Sequence, residues 1–128
     1  MNILYGTLGY ILITFPYAII WHMKLFHPLY LKWGYFGEHP SFLLGFTSMI
    51  FQGAILSYGY QFLRIDHQSI LNGISYSLSL GLFFWSCHVL AAMAKNANLR
   101  NWQYFLLETL YLTGQFTFFG ILISRIHS

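Results

Sequence analysis

The chain has 128 residues, of which 57% are hydrophobic and only 7% charged, with a net charge of +3. A soluble domain carries about 25% charged residues, and a chain this apolar would expose patches in water far larger than a monomer tolerates. Composition therefore excludes a soluble globule, and the few scattered cations form no basic stripe of the kind that binds nucleic acid.

A spanning helix needs roughly 20 mostly apolar residues. Four segments meet that requirement, at about 3–22, 42–63, 70–94 and 102–124. In hydrocarbon every backbone amide must be paired within its own segment or a closed barrel, and these runs are about twice the length of a barrel strand. The expected fold is all-α, an integral membrane four-helix bundle of two hairpins, with residues 1–128 as a single transmembrane domain. The first apolar run lacks a basic leader and a small-residue cleavage site, so it reads as a retained helix rather than a signal peptide.

Pro16 falls inside the first run, where its missing amide donor predicts a kink. Between the first two runs lies an aromatic loop, residues 23–41. Pro28 there suits the start of a short helix, and the loop is expected in the interface with its rings turned down. Trp21, Trp33 and Trp102 flank apolar runs, where an indole satisfies both headgroups and acyl chains, and His22 is placed with them as an interfacial group.

The later connections, 64–69 and 95–101, are short, so the second and third helices, and the third and fourth, are expected as neighbours. Small residues at four-residue spacing, Ser41 with Gly45, Gly53 with Ser57 and Ser75 with Ser79, suit close helix approach. Lys24, Lys32, Lys95 and Arg100 outnumber Arg64 and Arg125 on the opposite side. The positive-inside rule then puts both termini on the non-cytoplasmic side, and a bacterial inner membrane is the expected location. Cys87 is the single cysteine, which excludes an internal disulfide.

Glu108 is the most informative residue. A carboxylate in hydrocarbon is costly and faces protein with a partner. Tyr104, Tyr111 and Gln115 share its helical face, at i−4, i+3 and i+7, and make one polar stripe. Burial favours the neutral acid unless a cation stands close. His88 lies ten residues before Asn98, the centre of the third loop, and Glu108 ten after it. In antiparallel helices both reach the same depth, which makes them a candidate intramembrane pair. Lys95, two turns beyond His88, is a second candidate partner. Gln52, beside Gly53, needs a hydrogen-bond partner of its own and reads as interhelical glue.

Structural pairing, proton handling and metal ligation would all leave this trace. Haem or a metal on His22 and His88 is an alternative that no ligand spacing supports. There is no Gly-x-Ser-x-Gly, no phosphate loop and no paired carboxylates, since Glu38 and Asp66 sit in different loops. No catalytic activity of its own is expected.

Trp21-His22, Leu25-Phe26 and Tyr30, then Leu44-Gly45-Phe46, Ser48-Met49 and Gln52-Gly53, followed by Ala94-Lys95, Glu108 and Gln115-Phe116, form a pattern running from about Phe15 to Gly120. It resembles the small bacterial four-helix membrane proteins grouped as domain of unknown function 1761. The resemblance implies a compact four-helix membrane fold and makes Trp21, Lys95, Glu108 and Gln115 pattern positions. It implies no reaction, substrate or cofactor, and His22 and His88 depart from the pattern.

Three functions follow in order. The first is an accessory or structural subunit of a larger membrane complex, in contact with lipid and with other integral membrane subunits. The second is a small homo-oligomeric transporter or proton-coupled channel that uses Glu108. The third is a haem- or metal-binding redox subunit.

Overall fold

The computed structural model describes residues 2–63 and 69–127. Arg64 and Asp66 lie outside them. All regular structure among the described residues is helical. Helix α1 (Asn2–Ala18) runs on as a π-helical turn, Ile19–Leu25, and is followed by short α2 (His27–Lys32). Helix α3 spans Phe42–Phe62. Helix α4 (Ile70–Trp85) passes through a second π-helical turn, Ser86–Leu90, into α5 (Ala91–Lys95). A 3₁₀ turn, Ala97–Leu99, leads to α6 (Trp102–His127). Four continuous helices, Asn2–Leu25, Phe42–Phe62, Ile70–Lys95 and Trp102–His127, are long and apolar enough to cross a membrane.

Local chemistry sets the helix ends. The Ser41 hydroxyl accepts from the Leu44 amide and the Ser69 hydroxyl from the Asn72 amide, each at 3.3 Å. Both satisfy a donor that the first turn leaves orphaned. Asn101 Oδ1 accepts from the Tyr104 amide at 2.8 Å and starts α6. Arg100 donates to the carbonyls of Met93 (2.7 Å) and Ala94 (2.9 Å), closing the C-terminal end of α5.

The helices pack as two pairs, α1 with α3 and α4 with α6, joined by α1 against α6. Glycine lets the second pair close up. A Cβ on Gly120 would lie 2.6 Å from Ile74 Cα, and one on Gly81 would lie 2.7 Å from the Phe116 ring. Of the small-residue pairs noted in the sequence, Gly53 and Ser57 are buried where α3 meets α1. Ser41, Gly45, Ser75 and Ser79 are exposed.

Helices α3 and α4 are neighbours at one end only. There Tyr76 Oη donates to the Leu56 carbonyl at 2.6 Å. Toward the other end they part, and α3 is exposed on almost every side from Phe42 to Ile50. The expectation of side-by-side second and third helices is corrected to that extent. Contact between α1 and α6 joins the two hairpins and leaves a gap between α3 and α4.

The aromatic loop folds back onto the bundle. Pro28 lies in the first turn of α2, where its missing amide costs nothing. Gly34 (φ 67°) and Gly37 (φ 70°) adopt left-handed conformations that other residues resist, and between them Tyr35 and Phe36 turn toward the helices. Tyr30 is fully buried and Trp33 is 4% exposed. The interfacial placement of Trp33 is thus corrected: its ring packs edge-on against Tyr30 and Tyr104 inside the protein. Trp102 is 74% exposed at the start of α6.

Candidate functional site: a buried carboxylate between two histidines

Glu108 sits two turns into α6 with no exposed surface. Tyr104, Tyr111 and Gln115 are buried along the same face, because a polar stripe on an otherwise apolar helix is best satisfied against protein. Both carboxylate oxygens are fully partnered. Oε1 contacts His22 Nε2 at 2.6 Å and accepts from Tyr30 Oη at 2.7 Å. Oε2 contacts His88 Nε2 at 2.8 Å and accepts a long bond from Tyr35 Oη at 3.5 Å. Tyr35 Oη also lies 3.1 Å from His88 Nε2.

The partners fix most of the hydrogens. Trp21 Nε1, a donor only, donates to Tyr30 Oη at 3.0 Å, so the phenolic hydrogen of Tyr30 points at Glu108. His22 Nδ1 lies 3.1 Å from the Ala18 carbonyl, an acceptor only, so Nδ1 carries a hydrogen. One further proton must then lie between His22 Nε2 and Glu108 Oε1. On Nε2 it makes an imidazolium facing a carboxylate, and on Oε1 it makes a neutral imidazole facing an acid. Both states fit the same heavy-atom positions.

Both histidines ride on π-helical turns, His22 in Ile19–Leu25 and His88 in Ser86–Leu90. A π turn carries an extra residue and rotates all that follows by about 100°. The two turns thereby aim imidazoles from different helices at one carboxylate. His22, expected at the interface, is instead buried at 5% exposure and stacked on the Tyr35 ring. Trp21 is partly buried and supports the site through Tyr30.

Lys95 does not reach back. It is exposed at the end of α5, and among the described residues it makes no ion pair with Glu108. It lies beyond the π turn that carries His88, at the exposed end of the short helix α5. Tyr30 and Tyr35, which lie outside the four long helices, resist ionisation, because burial first and the Glu108 charge second disfavour a phenolate.

Sequence reasoning brought Glu108 and His88 to one depth and missed Tyr30, Tyr35 and Tyr10. The available signal was the density of tyrosines in the loop, which anticipates inward rings without saying where a hydroxyl points. Tyr10 Oη donates to Gln52 Oε1 at 2.6 Å and accepts from Gln115 Nε2 at 2.9 Å. That bridge ties α1, α3 and α6 together and gives Gln52 its partner.

A cavity of about 300 Å³ lies beside the site, in the gap where α3 leaves α4. His22, Tyr35 and His88 line it near the carboxylate, Gln52 and Gln115 line it farther along, and Phe46 forms part of the apolar wall. His88, whose side chain is 30% exposed, is the histidine more open to that space. Among the described residues no group of three His, Cys, Asp or Glu is arranged to hold a metal ion.

No protein-family model matches the chain, and neither the curated proteins nor the solved structures contain a significant match.

Proposed function

We propose that the chain is an integral membrane protein of four spanning helices in which the His22–Glu108–His88 cluster takes up and releases a proton. It would be the working group of a small homo-oligomeric transporter or proton-coupled channel. The observation that carries this reading is a fully buried carboxylate with one imidazole on each oxygen, one of them partly open to a cavity. A structural carboxylate needs only one cation. Here a second imidazole adds a protonation state that requires no movement of the chain. His88 receives the proton from the cavity side, Glu108 holds the compensating charge, and His22 forms the inner station. Four helices are few for a substrate pathway, so a second copy would complete it.

The test is proton flux into liposomes carrying purified protein, compared between wild type, Glu108→Gln and His88→Gln. Flux that falls in both variants, with folding verified by thermal unfolding, supports the reading. Equal flux in wild type and Glu108→Gln sinks it.

The accessory-subunit reading stands second, supported by the exposed apolar residues of α3, among them Leu43, Leu44, Phe51 and Ile55. Fixed-stoichiometry partners in native mass spectrometry of mildly extracted protein would favour it. Haem or metal on His22 and His88 ranks third, since a ligand would first have to displace Glu108 from both Nε2 atoms. The likeness to domain of unknown function 1761 supports the spanning fold and assigns no activity. Lys24, Lys32, Lys95 and Arg100 lie toward the loop end of the bundle, which supports termini on the non-cytoplasmic side of a bacterial inner membrane.

A further inference from the structure

We infer that the cavity binds a neutral, lipid-soluble ring compound with oxygens at opposite ends, of the quinone and quinol class, which enters sideways between α3 and α4. This goes beyond proton exchange and does not depend on it.

Access comes first. Helix α3 packs along α1 and makes little contact with α6, or with α4 beyond the end that carries Tyr76. The N-terminal half of α3 therefore leaves the cavity open to the apolar flank of the bundle, where a molecule dissolved in the bilayer would arrive.

Charge excludes most other occupants. Among the described residues no Lys or Arg lines the cavity. The ionisable groups at its polar end are already partnered with one another, since Glu108 holds both imidazoles. A ligand carrying a net charge would find no counter-ion there, and burying it would be costly. Phe15, Phe46, Met49 and Phe84 also line the cavity and suit a flat ring.

The polar groups fall at two stations. His88 and Tyr35 occupy one, beside Glu108. Gln52 and Gln115 occupy the other, and Gln115 lies seven residues along α6 from Glu108, about 10 Å by helical rise. A six-membered ring with oxygens at opposite positions, plus a hydrogen bond of about 2.8 Å at each end, is comparable in length to that rise between the two backbone positions. Tyr10 uses one polar atom of each glutamine. In either orientation of the two amides, one NH₂ donor and one carbonyl acceptor are left without a hydrogen bond among the described residues. A ring carbonyl is met by the NH₂ group and a ring hydroxyl by the carbonyl. At the other station Tyr35 Oη and His88 Nε2 are already engaged with Glu108, which leaves the phenol lone pair as an acceptor and His88 Nδ1 as an acceptor in the neutral ring or a donor in the imidazolium. The pocket therefore accepts the carbonyl and the hydroxyl form alike, which an acyl chain would not need.

Gly45 supplies the decisive variant. It lines the cavity, and a Cβ built on it meets nothing within 4 Å. Gly45→Leu therefore adds bulk at the cavity wall with no clash at its Cβ. The experiment titrates a short-chain ubiquinone analogue into nanodiscs of saturated phosphatidylcholine that hold the purified protein, with quenching of tryptophan fluorescence as the readout. The expected result is a saturable component, weakened about tenfold or more by Gly45→Leu and by Gln115→Leu, and not displaced by an alkylbenzene with the same tail. Unsaturable quenching that is identical in wild type and Gly45→Leu would overturn the inference. So would equal displacement by the alkylbenzene, which would mark the cavity as an acyl-chain groove.

Discussion

Replacing Glu108 tests how the site is held. The carboxylate has no exposed surface, and two imidazoles and two phenols converge on it at 2.6, 2.7, 2.8 and 3.5 Å. Glu108→Gln keeps the shape but cannot serve every partner. With the amide oxygen toward α1 it accepts from Tyr30, and neutral His22 then faces an acceptor with its own lone pair. With the amide nitrogen there, His22 is satisfied and the Tyr30 hydrogen loses its acceptor. Either orientation leaves one buried group unpaired, at a cost of about 1–3 kcal/mol. Glu108→Leu strips the acceptor from all four partners and should cost about 3–5 kcal/mol, the range for breaking a buried ion pair from one side. At a few degrees of Tm per kcal/mol, thermal unfolding in one detergent should rank wild type above Gln and Gln above Leu. A Leu variant as stable as wild type would refute the claim that these donors depend on the carboxylate.

Two further predictions follow from the same packing. The pKa values of Tyr30 and Tyr35 are raised above that of a free phenol, by burial and then by Glu108. The unfolded chain therefore releases these protons first, and their contribution to stability is intact below about pH 10 and lost as pH rises beyond it. Denaturation midpoints measured between pH 8 and 11 should fall at the alkaline end, and less so in Tyr30→Phe. Gly120→Ala should separate α4 from α6, because its Cβ meets backbone at 2.6 Å; a loss of about 1–3 kcal/mol is expected. Gly45→Ala, in open space, should be neutral or gain up to about 1 kcal/mol from helix propensity. Thermal unfolding of the pair reads both.

Much of this was legible in the residues. Run length and the scarcity of charge determine four long apolar helices, because an unpaired backbone is too costly in hydrocarbon for any other extended form. A period of 3.6 puts Tyr104, Glu108, Tyr111 and Gln115 on one face, and the cost of a bare carboxylate turns that face inward. Counting equal distances from a short turn brings His88 level with Glu108, since antiparallel helices share one rise per residue.

The remainder depended on tertiary structure. His22 and Lys95 exchange roles relative to the sequence expectation: His22 rides on the π-helical turn after Ala18 and Lys95 lies beyond the one after Trp85, and no local pattern announces that extra residue. Tyr30 reaches the site from α2 and Tyr35 from between Gly34 and Gly37, where the loop turns back across residues far along the chain. The cavity exists because α1 chooses α6 as its second partner and leaves the N-terminal half of α3 uncovered. Composition determines what each helix needs to hide. Which helix hides it is decided by packing between segments that the sequence keeps apart.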